Sequence, residues 1–538
     1  MELKNKRVLV VGLGKSGMAA ALFLRDRGAR VTVSDVRSAV ALADEIPALL
    51  DAGIMVEAGG HGLLTFRRQD LIVVSPGVPY DTPELKQVRA FGLPIIGELE
   101  LASRFLQGRV VAITGSNGKT TTTALLGKIF ADAGRATLVG GNIGLPVIEL
   151  VDESIRLSGG RDGEAGSSAS LRNDKQESKQ QQRQERNTEI LSEAQNDGPR
   201  INDGSSIDDG PRTNDGPSID DGPRINDGLR IDDRATIGEG VWNVLEVSSF
   251  QLETVDEFHP QIAVVLNITP DHLDRHGTFA NYAAMKTRIT RRQTAEDFLV
   301  LNGEDPPTQM VAASTKAQVF WFSGRRPIKQ GAFVHGESVL FIPREGAKAE
   351  PVLPVAEIPL KGAHNVENVL AAVCAARLGG IGAESIRASV ASFKAVEHRL
   401  EFVAVARGVE FYNDSKATNV DATKKALEAF AGGVHLILGG KDKNSDYTEL
   451  SDLIRERVKF VYTIGSAAEK IGRQLAGVVK IVSAGTLAVA LAKAADDAVA
   501  GDVVLLAPAC SSFDQFENYE QRGRVFKELV QGIASGSV

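Results

Sequence analysis

Cysteine is almost absent from this sequence of 538 residues, in which it occurs only as Cys374 and Cys510. Two cysteines so far apart cannot supply the paired framework of a small secreted domain or a four-ligand zinc site. Their scarcity is typical of proteins that work in a reducing compartment. We therefore expect a cytoplasmic protein without disulfides.

An excess of positive charge and long apolar runs are also missing. The 61 Lys and Arg residues are outnumbered by 69 Asp and Glu residues, and the net charge of −8 argues against nucleic acid as the main partner. No apolar run reaches the roughly 20 residues that span a bilayer, and the polar start Met1–Arg7 does not resemble a signal peptide. The length and the 43% hydrophobic content predict two to four globular domains.

The strongest motif that is present is Thr114–Thr120, with the sequence TGSNGKT. The apolar run Val110–Ile113 before it predicts a buried strand, and Thr121–Ala131 after it predicts a helix. Glycines allow backbone N–H groups to surround phosphate oxygens, and the helix N-terminus adds positive potential. Lys119 can then reach the β- and γ-phosphates, while the Thr120 hydroxyl can bind Mg²⁺.

The spacing of this loop departs from the common phosphate loop. A glycine is expected five residues before Gly118, where Ile113 stands, so the loop is a shortened variant with Gly115 as its other glycine. The alternative is a glycine-rich turn followed by a chance Lys-Thr pair.

A second glycine turn lies near the N-terminus. Gly12–Gly17 follows a predicted strand, Arg7–Val11, and a second strand, Arg30–Ser34, ends at Asp35. Taken alone, this pattern predicts a dinucleotide-binding unit in which Asp35 takes ribose hydroxyls, although a purely structural turn has the same spacing. The turn Ser75–Gly77 follows another strand, at the sheet edge where open α/β folds bind ligands.

The composition changes over Ser154–Gly238. This stretch has no aromatic residue, and its second half repeats every six residues in units such as NDGPRI. Such a period can indicate a β-helix or an Asp-rich calcium site. Each unit offers only one apolar residue, which is too little to offset roughly 1–2 kcal/mol of backbone entropy per residue. We therefore expect a disordered insertion without a role in catalysis.

Polar residues interrupt or follow apolar strands after this stretch. Glu246 lies within an apolar strand, where a carboxylate needs a partner such as a metal ion. The next strand, Ile262–Asn267, leads to His272, and a helix predicted over 279–292 carries Lys286. A lone histidine is more often packed in a core, and a lone helix lysine is more often solvated. The parallel strand ends favour a ligand role for His272.

The last third of the chain again alternates strands and helices, and polar loops follow three of its predicted strands. These loops are Asn413–Asn419, Gly439–Lys443 and Pro508–Phe516. The whole chain therefore predicts an α/β fold with doubly wound sheets, whose sites lie at the carboxyl ends of the strands.

Together these motifs resemble those of the ATP-dependent Mur ligases, and among them the ligases that add D-glutamate. The resemblance covers nearly the whole chain outside Ser154–Gly238. Besides the phosphate loop, it rests on Gly141–Pro146, Leu245–Glu253, His364–Asn368, His398–Arg399, Asn413–Asn419 and Asp514–Phe516.

The resemblance implies three α/β domains. Residues 1–97 would form a Rossmann-like domain that binds a UDP-sugar, and residues 98–394 a central ATP-binding domain with a P-loop ATPase-type parallel sheet that carries the insertion 154–238. Residues 395–538 would form a second Rossmann-like domain for the amino acid. The Gly12–Gly17 turn would then hold the diphosphate of the UDP-substrate, which replaces the dinucleotide interpretation.

The implied reaction belongs to the synthesis of peptidoglycan precursors. ATP would phosphorylate the carboxylate of UDP-N-acetylmuramoyl-L-alanine, and the amine of D-glutamate would displace phosphate from the acyl phosphate. The resemblance implies a monomer that uses these small molecules, ATP, two Mg²⁺ ions and a CO₂-derived carbamate on Lys286, without nucleic-acid or membrane partners. The implied catalytic residues are Lys119, Glu246, His272 and Lys286. The implied metal ligands are Thr120, Glu246, His272 and carbamylated Lys286.

The resemblance also implies three sets of binding residues. The ATP set is Gly115, Ser116, Asn117, Gly118, Lys119, Thr120, Thr121, Asn365, Asn368, Arg399 and Asp414. The UDP-substrate set is Gly14, Lys15, Ser16, Asp35, Arg37, Ser75, Pro76, Gly77 and Asn142. The D-glutamate set is Lys416, Thr418, Lys443, Ser512 and Tyr519. Lys441 is an alternative to Lys443, and Tyr519 stands where the family is expected to have phenylalanine.

Two other classes of function stay open. Sister Mur ligases and folylpolyglutamate synthases share the loop and metal residues but use other acceptors; the Ser511-Ser512 pair and the lack of an Asp-Asn-Pro-Arg motif argue against them. A nucleotide-gated binding protein without catalysis would be expected to have lost residues of the metal set, but Lys119, Glu246, His272 and Lys286 are all present.

Overall fold

The computed structural model describes residues 1–142, 144–159, 240–394, 396–442 and 444–535. Three sheets, each flanked by helices, follow one another along the chain, which confirms the predicted α/β class with three domains. Most of the predicted insertion lies outside the described residues. The domain limits at residues 97 and 394 stay predictions.

The first sheet has five parallel strands in the order β3-β2-β1-β4-β5. Its strands are β1 (Arg7–Val11), β2 (Arg30–Asp35), β3 (Met55–Ala58), β4 (Leu71–Val74) and β5 (Ile95–Gly97). The helices of this part are α1 (Lys15–Asp26), α2 (Ile46–Asp51), α3 (Leu63–Arg67), α4 (Pro83–Ala90) and α5 (Glu98–Ser103). The strand order reverses between β1 and β4, so the turns Gly12–Gly17 and Ser75–Gly77 lie side by side at the crevice where such sheets bind ligands.

The central sheet has nine strands in the order β14-β13-β12-β11-β10-β9-β6-β8-β7. They are β6 (Arg109–Thr114), β7 (Thr137–Gly141), β8 (Trp242–Glu246), β9 (Ile262–Val265), β10 (Phe298–Asn302), β11 (Gln318–Ser323), β12 (Gly331–His335), β13 (Ser338–Ile342) and β14 (Glu350–Pro354). The helices are α6 (Lys119–Asp132), α7 (Val147–Leu157), α8 (Ser249–Leu252), α9 (Leu273–His276), α10 (Phe279–Thr287), α11 (Pro306–Ala312), α12 (Ala363–Leu378) and α13 (Ala383–Ala391). Strands β6, β8 and β9 are neighbours and parallel, so their carboxyl ends meet beneath the phosphate loop.

The third sheet has six strands in the order β15-β16-β20-β17-β18-β19. They are β15 (Glu401–Ala406), β16 (Val409–Asn413), β17 (Val434–Gly439), β18 (Val458–Ile464), β19 (Lys480–Gly485) and β20 (Val503–Leu506). The helices are α14 (Val420–Leu427), α15 (Ser451–Arg457), α16 (Ala468–Gln474), α17 (Leu487–Asp497) and α18 (Tyr519–Ser535). The three polar loops identified in the sequence follow β16, β17 and β20, which are adjacent, so the loops converge at one edge.

Apolar strands covered on both faces form the cores of all three sheets. In β1, the side chains from Val8 to Val11 are fully buried, and the same holds for most of β6, β8, β9 and β20. Near-continuous Val, Ile and Leu runs of this kind are typical of parallel sheets with helices on both faces. Both cysteines are free and buried, and none of the helices that the structure describes is long and apolar enough to cross a bilayer.

The structure differs from the sequence predictions in strand direction, in the number of strands and in the start of the insertion. The central and third sheets are not wholly parallel, because β13 pairs antiparallel with β12 and β14, and β15 pairs antiparallel with β16. Strands β3, β12, β14 and β15 were not predicted. The insertion does not begin at Ser154: α7 continues to Leu157, and the buried Ser154 hydroxyl accepts a hydrogen bond from the Gln107 N–H at 3.0 Å.

Two buried glutamates of α5 join the first sheet to the central part. Glu100 accepts hydrogen bonds from the N–H groups of Asp256, Glu257 and Phe258 and forms an ion pair with Arg104. Glu98 accepts from the Ile148 N–H at 2.7 Å, in the first turn of α7. Burial raises the pKa of Glu98 to about 7. The Glu98 carboxyl group therefore stays protonated at pH values well above those at which an ordinary carboxyl group loses its proton.

Replacing Glu98 by glutamine is expected to change the pH dependence of stability. The folded protein binds the Glu98 proton more tightly than the unfolded chain, so this contribution to stability is lost as the pH rises from 4.5 through about 7. Glutamine mimics the protonated side chain. We expect E98Q to be more stable than the wild type at pH 8 by roughly 2–3 kcal/mol, with little difference at pH 5.

Urea unfolding at the two pH values measures this difference, and D452N, at a fully exposed carboxylate, is the control for a lost surface charge. Equal effects of E98Q at pH 5 and pH 8 would contradict the assignment of a buried, protonated Glu98.

Candidate functional site

Two cavities lie along the carboxyl edges of the sheets. The first, of about 1170 Å³, is lined by the turn from Gly12 to Ser16, by Asp35–Arg37 and by Ser75–Pro79. The second, of about 690 Å³, is lined by the phosphate loop, Glu246, Asp271, His272 and residues that follow β16. Asn142, Lys416 and Tyr519 line both cavities. A molecule that fills the first cavity can therefore reach the phosphate loop in the second.

The phosphate loop has the backbone geometry that its glycines predict. Gly118 precedes α6 with a φ of +87°, and a Cβ atom there would lie 2.2 Å from Oδ1 of Asn368. A residue with a side chain would be strained and would collide with this amide. The Lys119 ammonium donates to the carbonyl oxygens of Gly115 at 2.7 Å and Ser116 at 2.9 Å. Lys119 therefore lies folded over the loop that would hold the phosphates.

A second buried ammonium group reaches the same loop. The side chain of Lys286 is 1% exposed, and its Nζ donates to the Gly115 carbonyl oxygen at 2.9 Å. Burial lowers the pKa of Lys286 well below its ordinary value, and the charge of Lys119 lowers it further. Burial also lowers the pKa of Lys119, while Glu246 raises it. The two lysines thus disfavour each other's charge.

Glu246 provides a buried carboxylate that fits a metal ion. It lies at the end of β8 and is 1% exposed. Its Oε1 accepts a hydrogen bond from Asn142 at 2.8 Å, whereas its Oε2 has no hydrogen-bond partner among the described residues. An orphaned carboxylate oxygen in a polar cavity is suited to a hard cation such as Mg²⁺.

The other predicted metal ligands are arranged differently. The Thr120 hydroxyl accepts hydrogen bonds from the Arg399 guanidinium at 2.9 Å and the Lys416 ammonium at 3.3 Å. Two cations therefore face the oxygen that was predicted to bind Mg²⁺. His272 has a left-handed backbone (φ +51°), lines the second cavity and packs edge-on against Phe250 at 4.9 Å. Glu246 and His272 thus line the second cavity, whereas Thr120 lines the first and is engaged by side chains.

Two asparagine amides also line the second cavity. The Asn368 amide donates to Oδ1 of Asn365 at 3.1 Å, and the Asn365 amide donates to the Lys361 carbonyl at 2.7 Å. Sequence reasoning gave no role to His364, which lines the same cavity and whose pKa burial lowers to about 4. A histidine that stays neutral at physiological pH can both donate and accept hydrogen bonds.

Arg399 and Asp414, both predicted for ATP, also line the second cavity. Burial raises the pKa of Asp414 to about 6, while the Leu400 N–H and Arg399 lower it. Sequence reasoning missed Asp421, which accepts a hydrogen bond from the Asn117 amide of the phosphate loop. The two residues are separated by 304 positions, so no local pattern indicates this contact.

In the first cavity, Asp35 holds the glycine turn and Arg37. Its carboxylate accepts from the Leu13 N–H at 2.7 Å and from the Arg37 N–H at 2.8 Å, and it forms an ion pair with the Arg37 guanidinium. Burial alone would raise the pKa of Asp35, but hydrogen bonds from Arg37 and Leu13 hold it below its ordinary value. The other predicted UDP-substrate residues lie in the same cavity wall: Gly14, Lys15, Ser16, Ser75, Pro76, Gly77 and Asn142.

The predicted D-glutamate residues are only partly brought together. Lys416, Thr418 and Tyr519 line the second cavity, and burial, followed by the charge of Arg399, lowers the pKa of Lys416 to about 8. Ser512 is 2% exposed and does not belong to the walls of these two cavities. Lys443 lies outside the described residues. The roles of these residues stay predictions.

Family models match the three parts of the chain: the Mur ligase MurD-like N-terminal domain at 6–97, the Mur ligase middle domain at 238–376 and the Mur ligase glutamate ligase domain at 398–510. A UDP-N-acetylmuramoylalanine–D-glutamate ligase of Acidobacterium capsulatum is 59% identical over 530 residues, which covers 98% of this chain and 97% of the relative. The chain belongs to the Mur ligase family. A ligase of the same name from Koribacter versatilis is 50% identical and covers 99% of both chains.

Solved Mur ligase structures share the fold of the chain at low sequence identity. A pseudomurein peptide ligase type C from Methanothermus fervidus has a TM-score of 0.52 at 18% identity, over 98% of this chain and 100% of its own. The MurF ligase from Thermotoga maritima, in complex with ADP, has a TM-score of 0.52 at 15% identity, over 100% of this chain and 97% of its own.

Replacing Lys119 by alanine is expected to abolish ATP-dependent turnover, with a loss of at least about a hundredfold in kcat. The ammonium is the group of the loop that can neutralise charge on the phosphates. Phosphate release from ATP in the presence of both other substrates measures the effect.

The matched control is K128A on the same helix, where the lysine is partly exposed and pairs with Asp132. This variant should keep wild-type turnover. Product formation by K119A at a rate close to that of K128A would exclude the assigned role of Lys119.

Proposed function

We propose that this chain is an ATP-dependent ligase that joins D-glutamate to UDP-N-acetylmuramoyl-L-alanine in peptidoglycan precursor synthesis, forming ADP and phosphate. The main observation that supports the proposal is that the two cavities adjoin, with Asn142, Lys416 and Tyr519 lining both. This arrangement lets a long UDP-sugar substrate bring its carboxylate to a phosphate loop. The high identity to ligases named for this reaction supports the choice of substrates.

In the proposed reaction, a carboxylate oxygen of the L-alanyl end attacks the γ-phosphorus of ATP, and ADP leaves. The amine of D-glutamate then attacks the carbonyl carbon of the acyl phosphate, loses a proton and expels inorganic phosphate as the amide forms. Both steps bring anions together, so the chain must neutralise charge and fix the reactants in place. Lys119, Lys416 and Arg399 supply the positive charge at the junction of the cavities.

Residues of the two adjoining cavities fit Mg²⁺: Glu246 and His272 line the second cavity, and Thr120 lines the first. Glu246, Thr120 and His272 would hold two ions, whose binding would neutralise the phosphoryl oxygens and orient them for in-line transfer. The orphaned Oε2 of Glu246 supports this assignment. Thr120 would have to exchange its contacts with Arg399 and Lys416 for the ion.

The burial of Lys286 supports the proposal that this lysine is carbamylated. An amine adds CO₂ only in its neutral form, and burial beside Lys119 favours that form. The addition forms an N–C bond, releases one proton and converts the side chain to an anion. That anion would relieve the repulsion with Lys119 and add a metal ligand.

We further propose that the UDP part of the substrate lies in the first cavity against the glycine turn and Ser75–Gly77. ATP would extend from the phosphate loop toward Asn365 and Asn368, and D-glutamate would bind near Lys416, Thr418 and Tyr519. Ser512 and Lys443 are proposed as further D-glutamate contacts. We also propose that the active form is a monomer. Substrates of this kind, small and water-soluble, support a cytoplasmic enzyme without membrane or nucleic-acid partners.

The test is phosphate release from ATP with UDP-N-acetylmuramoyl-L-alanine, with D-glutamate, L-glutamate, L-lysine and meso-diaminopimelate offered in separate reactions. We expect release, with an equal amount of amide product, only with D-glutamate. The chain itself supplies the control: K119A should release no phosphate with any acceptor.

Phosphate release with another acceptor would indicate that the chain has the activity of a different Mur ligase. Binding of nucleotide without release for every acceptor would favour a non-catalytic binding protein and would overturn the proposal.

A further inference from the structure

Arg275 contacts residues that line each of the two cavities: Gly77 and Val78 of the first, and His272 of the second. It follows His272 by three positions, on α9. Its Nε and Nη2 donate to the two carboxylate oxygens of Glu253 at 3.2 and 2.6 Å. The two side chains are 14% and 11% exposed. A planar guanidinium held by two bonds to one carboxylate has a fixed orientation, which a lysine cannot reproduce.

Toward the first cavity, the same guanidinium donates across to the first sheet. Its Nη2 donates to the Val78 carbonyl at 2.9 Å, and its Nη1 lies 3.4 Å from the Gly77 carbonyl. Both residues line the first cavity. Their turn is joined to the glycine turn, since the Ser75 hydroxyl donates to the Gly12 carbonyl at 2.7 Å. Arg275 therefore contacts one of the two turns proposed to hold the UDP end directly, and that turn is hydrogen-bonded to the other.

Toward the second cavity, Arg275 is joined to His272. The N–H groups of Arg275 and His276 both donate to the His272 carbonyl at 3.1 Å. The Phe250 ring packs against the Arg275 guanidinium at 4.7 Å and against the His272 ring at 4.9 Å. A shift of the guanidinium would therefore disturb the short left-handed turn that directs His272 into the cavity.

A neighbouring arginine, Arg288, makes hydrogen bonds to the central part of the chain, although Tyr80 of the first part also interacts with its charge. Arg288 donates to the main-chain carbonyls of Glu253 at 2.9 Å and Val255 at 2.8 Å, all within the central part of the chain. It packs on the same segment as Arg275 and is half buried. It therefore offers a matched control for local disturbance around Glu253.

We propose that Arg275 is a positioning residue, oriented by Glu253. It couples binding of the UDP end of the substrate in the first cavity to the position of His272 in the second. This inference rests on the proposed function for the identity of the two ligands. By linkage, Mg²⁺ and nucleotide in the second cavity should then tighten binding of the UDP-substrate, and the reverse should hold by the same factor.

The experiment measures the dissociation constant of UDP-N-acetylmuramoyl-L-alanine by calorimetry, with and without Mg²⁺ and a non-hydrolysable ATP analogue. The ratio of the two constants is the coupling.

We expect a ratio of about 5 to 50 for the wild type and a ratio within twofold of one for R275Q. R275K should keep part of the coupling, and R288K should keep all of it. A merely structural role would weaken binding in both conditions and leave the ratio unchanged.

E253Q provides a second variant in case R275Q does not fold, because loss of one partner of a buried ion pair can be strongly destabilising. It keeps Arg275 but weakens the contact that orients it, so its ratio should also fall. Thermal unfolding identifies the variants that are folded.

A wild-type ratio of one, a wild-type ratio retained in R275Q and E253Q, or an equal loss in R288K would each overturn the inference. No acceptor is present in this measurement. Failure of D-glutamate-dependent phosphate release in the wild type would therefore contradict the proposed function separately from the coupling.

Discussion

The carbonyl oxygen of Gly115 accepts hydrogen bonds from two buried ammonium groups, those of Lys119 and Lys286. Bringing two like charges to one oxygen inside a protein is unfavourable unless one group loses its proton or anions lie close by. The acidic groups that favour charge on both are Glu246 and Asp271. The site therefore has room for further negative charge, which the phosphates of ATP and a carbamate on Lys286 would supply.

The order of the strands brings these charged groups together. Strands β6, β8 and β9 are neighbours, so the phosphate loop, Glu246 and the segment that leads to His272 all emerge at one sheet edge. In the third sheet β16, β20 and β17 are neighbours in the same way. The loop after β16 brings Lys416 to Thr120, and the same segment brings Asp421 to Asn117. The loop proposed to bind phosphate and the loop proposed to bind the acceptor can thus share one reaction volume.

Much of this could be predicted from the sequence because the signals are local. The apolar strands, the glycine turns and the buried Glu246 each depend on residues next to one another, and the structure places them as expected. Lys286 has no such signal, since it contacts Gly115 across 171 positions, and only the resemblance to a family indicated it. Strands β14 and β15 were not predicted, and the antiparallel pairing of β13 was not foreseen, because pairing depends on neighbouring strands rather than on composition. The partners of Glu98 and Glu100 were hidden for the same reason.

The most direct test of the account is the fate of the substrate's own carboxylate oxygen. UDP-N-acetylmuramoyl-L-alanine labelled with ¹⁸O in the alanyl carboxylate is incubated with ATP, Mg²⁺ and D-glutamate, and the released phosphate is analysed by mass spectrometry. Reaction through an acyl phosphate transfers one labelled oxygen to each phosphate and leaves the other in the amide. Unlabelled phosphate, formed together with amide product, would contradict phosphorylation of the carboxylate.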